Sequence, residues 1–154
     1  WDPRPLKATG VTYATSAMGA DHTAGLVLEP GVPVEDCARR SQEEQIVSAI
    51  CDGSGFCEFL GATADEIRTL YGLMVDCEVT REEIADMGWQ TLEDEWEFNR
   101  RAGFTDLDDV LPECMRTDGV GPNLEVFDLP ASVIAAAKVR MPLAPSFFDK
   151  KATG

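Results

Sequence analysis

Residues 80–103 read TREEIADMGWQTLEDEWEFNRRAG, and this stretch decides the fold class. Thr80 and Glu83 make an S/T-x-x-E capping box. The hydroxyl can accept from a free backbone N–H near the helix start, while the glutamate reaches back to the cap. Behind the box, Ile84, Met87, Leu92, Trp96 and Phe98 follow at helical spacing, and Gly103 supplies a stop. The acidic first turn suits the positive end of the helix dipole. The same device occurs twice upstream. Ser41-Gln-Glu-Glu44 precedes Ile46, Val47, Ala49 and Ile50, and Thr63-Ala-Asp-Glu66 precedes Ile67, Leu70, Tyr71, Leu73 and Met74. Three boxes, each followed by an apolar stripe, predict three helices whose stripes face the core. No segment alternates as a strand does, so the sequence predicts an all-α, multihelical, bundle-like chain with long irregular connections.

Outward from these helices the signals weaken. Residues 1–40 are rich in Gly, Pro and Thr and are expected to be mostly irregular, with one short helix near Met18–Leu28. Pro30, Gly31 and Pro33 then break the chain. Residues 41–115 hold the helical core and end in a turn at Thr105–Pro112. Residues 116–154 form a tail with a loop at Asp118–Pro122 and a fourth helix at Ala131–Arg140. Pro142 and Pro145 end regular structure. Glu43, Glu44, Glu82 and Glu93 are expected on solvated helix faces.

The 154 residues carry 13 Lys+Arg and 28 Asp+Glu, a formal charge of −15, with 44% hydrophobic content. That apolar share supports a globular core and argues against wholesale disorder. The charge repels phosphate backbones and anionic bilayers, so neither nucleic acid nor membrane is an expected partner. Arg39–Arg40 and Arg100–Arg101 are pairs and not a basic patch. The longest uncharged run, Ala8–Ala20, is too short to span a bilayer. Cys37, Cys51, Cys57, Cys77 and Cys114 contain no C-x-x-C and accompany a single His, which removes zinc-finger readings. An odd count at loose spacing predicts reduced thiols in a cytoplasmic protein, several of them packed as small apolar residues.

Two short stretches could carry chemistry. In Asp52-Gly-Ser-Gly-Phe-Cys57, two glycines flank a serine, with an acid before and a thiol after. Gly53 and Gly55 let the backbone approach a ligand closely. A carboxylate there can accept from heterocycle N–H groups, and a thiol can ligate a soft metal. The plainer reading is that the glycines end a helix and Cys57 is buried. In Gly19-Ala-Asp-His-Thr23, His22 lies outside any apolar stripe, and imidazole is a side chain suited to proton transfer near neutral pH. A loop histidine with local hydrogen bonds accounts for it equally well. No Ser–His–Asp set, P-loop or dinucleotide fingerprint is present.

Four pieces, in order, resemble the C-terminal part of the aldehyde:ferredoxin oxidoreductase family of tungsten-pterin enzymes. Asp2-Pro-Arg4 with Tyr13-Ala-Thr-Ser16 resembles D-P-R…Y-A-T-S. Gly19-Ala-Asp-His22 resembles G-A-C/D-H. Asp52-Gly-Ser-Gly-Phe-Cys57 resembles D-x-x-G-L-C. Phe98-Asn-Arg100, Gly103-Phe104 and Asp108-Asp-Val-Leu-Pro112 resemble F-N-x-R-x-G-F…D-D-x-L-P. The resemblance implies two mostly helical domains behind a β-rich domain that cradles two pterins. It implies that Asp52 hydrogen-bonds a pterin, with Gly53 and Gly55 in the same cofactor-binding turn. It implies that Cys57 is one of four ligands to a [4Fe–4S] cluster, and that His22 aids proton transfer near the metal and substrate. The implied cofactors are tungstopterin or molybdopterin plus the cluster. The implied partners are an aldehyde, ferredoxin and the N-terminal domains of the same polypeptide.

The departures shape the expectation. The family's C-x2-C-x3-C run, its first pterin motif and its β-rich domain are absent, and Phe56 replaces the usual Leu. The match fades after Pro112. The chain is therefore expected to be a piece of a larger oxidoreductase, inactive in isolation. A helical interaction module that has lost its cofactors, and a family variant that reduces aromatic thioesters, are the rival readings.

Overall fold

Helix α2 runs Val34–Ser54 and is the axis around which the rest is built. The structure, a computed structural model, describes residues 1–151. Helix α1 (Lys7–Thr15) packs on α2 from one side. Helices α3 (Ala64–Val75) and α4 (Arg81–Arg101) also pack on it, against its C-terminal half. Two short helices follow, α5 (Glu113–Thr117) and α6 (Ala131–Ala136). The fold is all-α, and the described residues pair as β structure only in two isolated bridges, Thr63 with Lys151 and Val120 with Glu125.

Two of the three capping boxes form. Thr63 accepts from Glu66 N at 3.2 Å, and Glu66 Oε2 accepts from Thr63 N at 2.8 Å. Thr80 and Glu83 repeat the arrangement at the start of α4. Gly103 takes φ +102 just past the end of α4, as a stop residue should.

The third box does not form. Helix α2 begins eight residues earlier, with Pro33 at its N-cap in place of Ser41 and Glu35 and Asp36 in its first turn. Proline is a breaker inside a helix but is well suited to its start. Ser41 is therefore mid-helix, and its hydroxyl lies 2.8 Å from that of Thr12 on α1. Residues 41–45 are all buried, so Glu43 and Glu44 are not on a solvated face. Glu82 and Glu93 are exposed, as expected.

This buried polar band separates two apolar cores. Cys37 and Ala38 of α2 join Ala8, Val11, Phe127, Leu129 and Ile134 in one. Ile46–Cys51 of α2 join Ile67, Ile84, Trp89, Leu92 and Phe147 in the other. Each fully buried Ile contributes about 1.5–3 kcal/mol relative to an exposed one. Helix α4 lies close enough to α2 that a Cβ on Gly88 would stand 2.8 Å from Ile46 O.

The first forty residues are more regular than their composition suggests. The expected helix at Met18–Leu28 is only a 3-10 turn, His22–Ala24, and the true helix is α1. Its sequence KATGVTYAT is a poor helix former and has no side-chain cap. Tertiary bonds hold it instead. Thr9 Oγ1 donates to Val27 O at 2.8 Å and accepts from Val27 N at 3.0 Å, and Gln45 Nε2 donates to Thr15 Oγ1 at 3.1 Å. The fourth expected helix, Ala131–Arg140, stops at Ala136. The end of the expected tail, residues 152–154, lies outside the described residues.

The expected stripes are only partly buried. Ile46, Val47, Ala49, Ile50, Ile67, Ile84 and Leu92 are core, and Tyr71, Met87 and Trp96 pack at its edge. Leu70, Leu73, Met74 and Phe98 are exposed.

Candidate functional site

Helix α2 ends in the glycine-rich stretch singled out from the sequence. Asp52 and Gly53 form its last turn, and Gly55 follows at φ +74, a left-handed conformation that glycine adopts without strain. Gly55 N donates to Asp52 O at 3.2 Å and Phe56 N to Cys51 O at 2.9 Å. These bonds satisfy the helix end and turn the chain outward. Asp52 and Cys57 are both exposed, and a Cβ on Gly55 would meet nothing within 4 Å. The plainer expectation of a buried Cys57 is thus replaced by an accessible thiol beside an accessible carboxylate. The buried thiol at this end of α2 is Cys51, pushed up to about 11 by burial and then by the charges of Glu58, Asp52 and Cys57; Cys37, near the start of α2, is buried too.

His22 opens the 3-10 turn after α1. Asp21 caps that turn, accepting from Thr23 N at 2.8 Å and Thr23 Oγ1 at 2.9 Å. The Thr23 N–H, then its hydroxyl, hold the Asp21 carboxyl below its ordinary pKa. His22 Nδ1 is 3.8 Å from Asp21 Oδ1, and the imidazole is half exposed.

Glu58 brings the two stretches together. Burial raises its pKa, Ser48 opposes that through a hydrogen bond, and the charges of Asp52, His22 and Asp21 all reach it. Its Oε1 is buried with no hydrogen-bond partner. Glu95 on α4 is also raised, by burial and then by Asp52. Sequence reasoning passed over Glu58, although an acid set between Phe56, Cys57, Phe59 and Leu60 is a signal of partial burial.

A cleft of about 840 Å³ opens nearby. One wall is Tyr13–Ala20, ending two residues before His22. The other is the end of α4 with residues 104–112 and Lys138. Trp96 Nε1 donates to Thr15 O at 2.7 Å, and Asn99 Nδ2 to Ala17 O at 2.8 Å, which ties the walls together at the floor. Parts of three of the four motif pieces thus line one cavity, although His22 and Asp21 do not. The remaining piece, Asp52–Cys57, does not line it. The Asp2–Arg4 pair lies apart from the cleft, closed at 2.7 Å, with Arg4 also donating to Asp118 O at 2.7 Å.

The donor set admits a partial test of the implied cofactors. Cys57 offers one accessible thiol, and no group of three or more His, Cys, Asp or Glu among the described residues could hold a metal ion. A four-cysteine cluster needs three more thiolates than this turn supplies. The residues fit one corner of such a site and not the whole of it. No helix among the described residues is long and apolar enough to cross a membrane.

The all-helical fold and the order of the motif pieces agree with the family that the sequence resembles. The model of the family aldehyde ferredoxin oxidoreductase, domains 2 and 3, matches residues 1–131, and the chain belongs to that family. It is 27% identical over 139 residues to a tungsten-containing aldehyde ferredoxin oxidoreductase of Pyrococcus furiosus, covering 80% of this chain and 23% of that protein. The protein of the same name from Pyrococcus abyssi is 26% identical over 139 residues, with the same coverage. The chain thus spans about a quarter of the length of these relatives. No solved structure matches it.

Proposed function

We propose that this chain is part of an enzyme that oxidises an aldehyde to a carboxylic acid, with ferredoxin as electron acceptor. A tungsten- or molybdenum-pterin and a [4Fe–4S] cluster would supply the electron chemistry. Cys57 would give the cluster one thiolate ligand. Asp52 would accept hydrogen bonds from pterin N–H groups, with Gly53 and Gly55 allowing close approach. Oxidation of an aldehyde with water releases protons as well as electrons, and His22, steadied by Asp21, would take up a proton.

The observation that carries this reading is the contrast at the end of α2. The motif's own cysteine is exposed, as is Asp52 five residues before it, while Cys51 is buried. The surroundings support a larger parent protein. Phe59 is 87% exposed and Leu60 70%, directly after Cys57, and Leu73 and Met74 stand open on α3. In this reading the rest of the polypeptide covers those side chains and brings the remaining cluster ligands. In this reading the enzyme works in the cytoplasm, which the five free cysteines support.

The test uses the full-length enzyme purified without oxygen. Cys57→Ala is expected to weaken the visible absorption of the cluster, and an unchanged spectrum refutes the ligand role. His22→Gln is expected to slow aldehyde oxidation while metal content stays intact. Absence of tungsten, molybdenum and iron from the wild-type protein would sink the reading altogether.

A further inference from the structure

The walls of the cleft carry a strong charge bias. Glu93, Glu97, Asp106, Asp108 and Asp109 line it, against two cations, Arg100 and Lys138. Neither cation is free to receive an anion. Lys138 Nζ donates to Asp109 at 2.8 Å and Asp106 at 3.0 Å, and it sits 5.6 Å from the centre of the Trp96 ring. Arg100 is paired with Glu97. The rim is apolar, with Met18, Phe104 and Val110 all exposed. The size lies within the roughly 300–1,000 Å³ usual for small-molecule sites.

We propose that this cleft admits an uncharged organic molecule and rejects those bearing a carboxylate or phosphate. The proposal rests on the reading above and names the substrate class for it, neutral aldehydes; the wall Tyr13–Ala20 is continuous in sequence with His22, two residues on. Anions meet carboxylates with no spare cation, and a like charge at this range weakens binding by about tenfold or more. The same bias disfavours thioesters whose carrier bears phosphates.

The test is equilibrium binding to the full-length polypeptide, read by saturation-transfer NMR and calorimetry, so no turnover is needed. The probes are benzyl alcohol, benzoate and benzyl phosphate. Benzyl alcohol should bind about tenfold or more tighter than either anion. Glu93→Gln with Asp108→Asn should narrow that gap. Phe104→Ala with Val110→Ser, both on the exposed rim, should weaken benzyl alcohol by about threefold or more. Equal binding of benzoate and benzyl alcohol overturns the proposal, as does no binding of benzyl alcohol at millimolar concentration. An unaltered affinity in the rim variant also overturns it, because the probe is then bound elsewhere. Lack of metal in the protein would sink the redox reading and leave these binding results standing.

Discussion

Two stretches of this molecule invert the usual pattern in opposite senses. In α2, the polar residues Ser41–Gln45 are buried. In α3, the apolar residues Leu73 and Met74 are exposed at 76% and 67%. The difference lies in what each stretch meets. The α2 band meets free backbone groups of distant segments. Gln42 donates to Ala137 O and Val139 O, each at 2.9 Å, and accepts from Met141 N at 2.8 Å. Glu43 accepts from Ala144 N at 2.8 Å and Lys150 Nζ at 2.7 Å. A buried polar group is tolerable when its partners are supplied, and here the chain supplies them for all but Gln45 Oε1. The outer face of α3 has no such neighbour within these residues.

The largest expected effect comes from breaking the polar band. The Glu43 side chain is 1% exposed and binds Lys150, Ala144 N and Arg39. Glu43→Ala leaves Lys150 and a backbone N–H short of a partner inside the fold, at a cost of about 3 kcal/mol. Urea unfolding measures it, and a loss below about 1 kcal/mol would show that the band is incidental. The pH dependence follows with a definite sign. Burial pushes the Glu43 carboxyl up, but Lys150, Ala144 N–H and Arg39 together hold it below its ordinary value. The unfolded glutamate titrates at about 4.3 and so takes up its proton before the folded one as pH falls. This contribution is present above that pH and is lost as pH falls through the folded value. Glu44 acts in the opposite sense, because burial raises its pKa despite Lys150. Glu43→Gln should therefore flatten the acid limb of the stability profile, and an unchanged limb would assign it to other carboxylates.

A second expected effect lies where α4 meets the apolar end of α2. Gly88→Ala places a methyl 2.8 Å from Ile46 O and Ile50 Cγ1. The carbonyl belongs to helix backbone and cannot turn away, so the two helices must part. The expected cost is about 2 kcal/mol, despite alanine's better helix propensity. A stabilised variant in thermal unfolding would mean that the helices are less tightly seated than the structure has them.

What was legible in the sequence follows the same division. Thr63–Glu66 and Thr80–Glu83 were readable because each box closes within four residues. Ser41–Glu44 matched the same pattern and failed because its partners lie far along the chain, from Thr12 to Lys150. Helix α1 was missed for the same reason, since Val27 and Gln45 secure it and its own propensity does not. The Asp52–Cys57 turn was readable as chemistry because glycine spacing is local, but only the fold shows Cys57 open and Cys51 closed. The cleft was not readable from spacing, because it joins Tyr13–Ala20, the end of α4 and Lys138 across more than a hundred residues. Glu58 was passed over because its neighbours Asp52 and His22 converge on it only in three dimensions.

The smallest expected effect sharpens the comparison most. Leu73→Gln changes a side chain that is 76% exposed on α3, in a helix already fixed by its capping box and by Ile67. In this 154-residue chain the change in stability should stay within about 0.5 kcal/mol, because little apolar area is returned to water. In the full-length polypeptide the same substitution should destabilise by more, about 1–2 kcal/mol, if the α3 face is covered there. The two measurements must be made together. A large loss in the short chain would mean that Leu73 is held by contacts within it. Equal small losses in both would mean that the face stays open in the complete protein. Leu73 would then be a surface residue of the parent enzyme, and the inversion in α3 would need no missing neighbour at all.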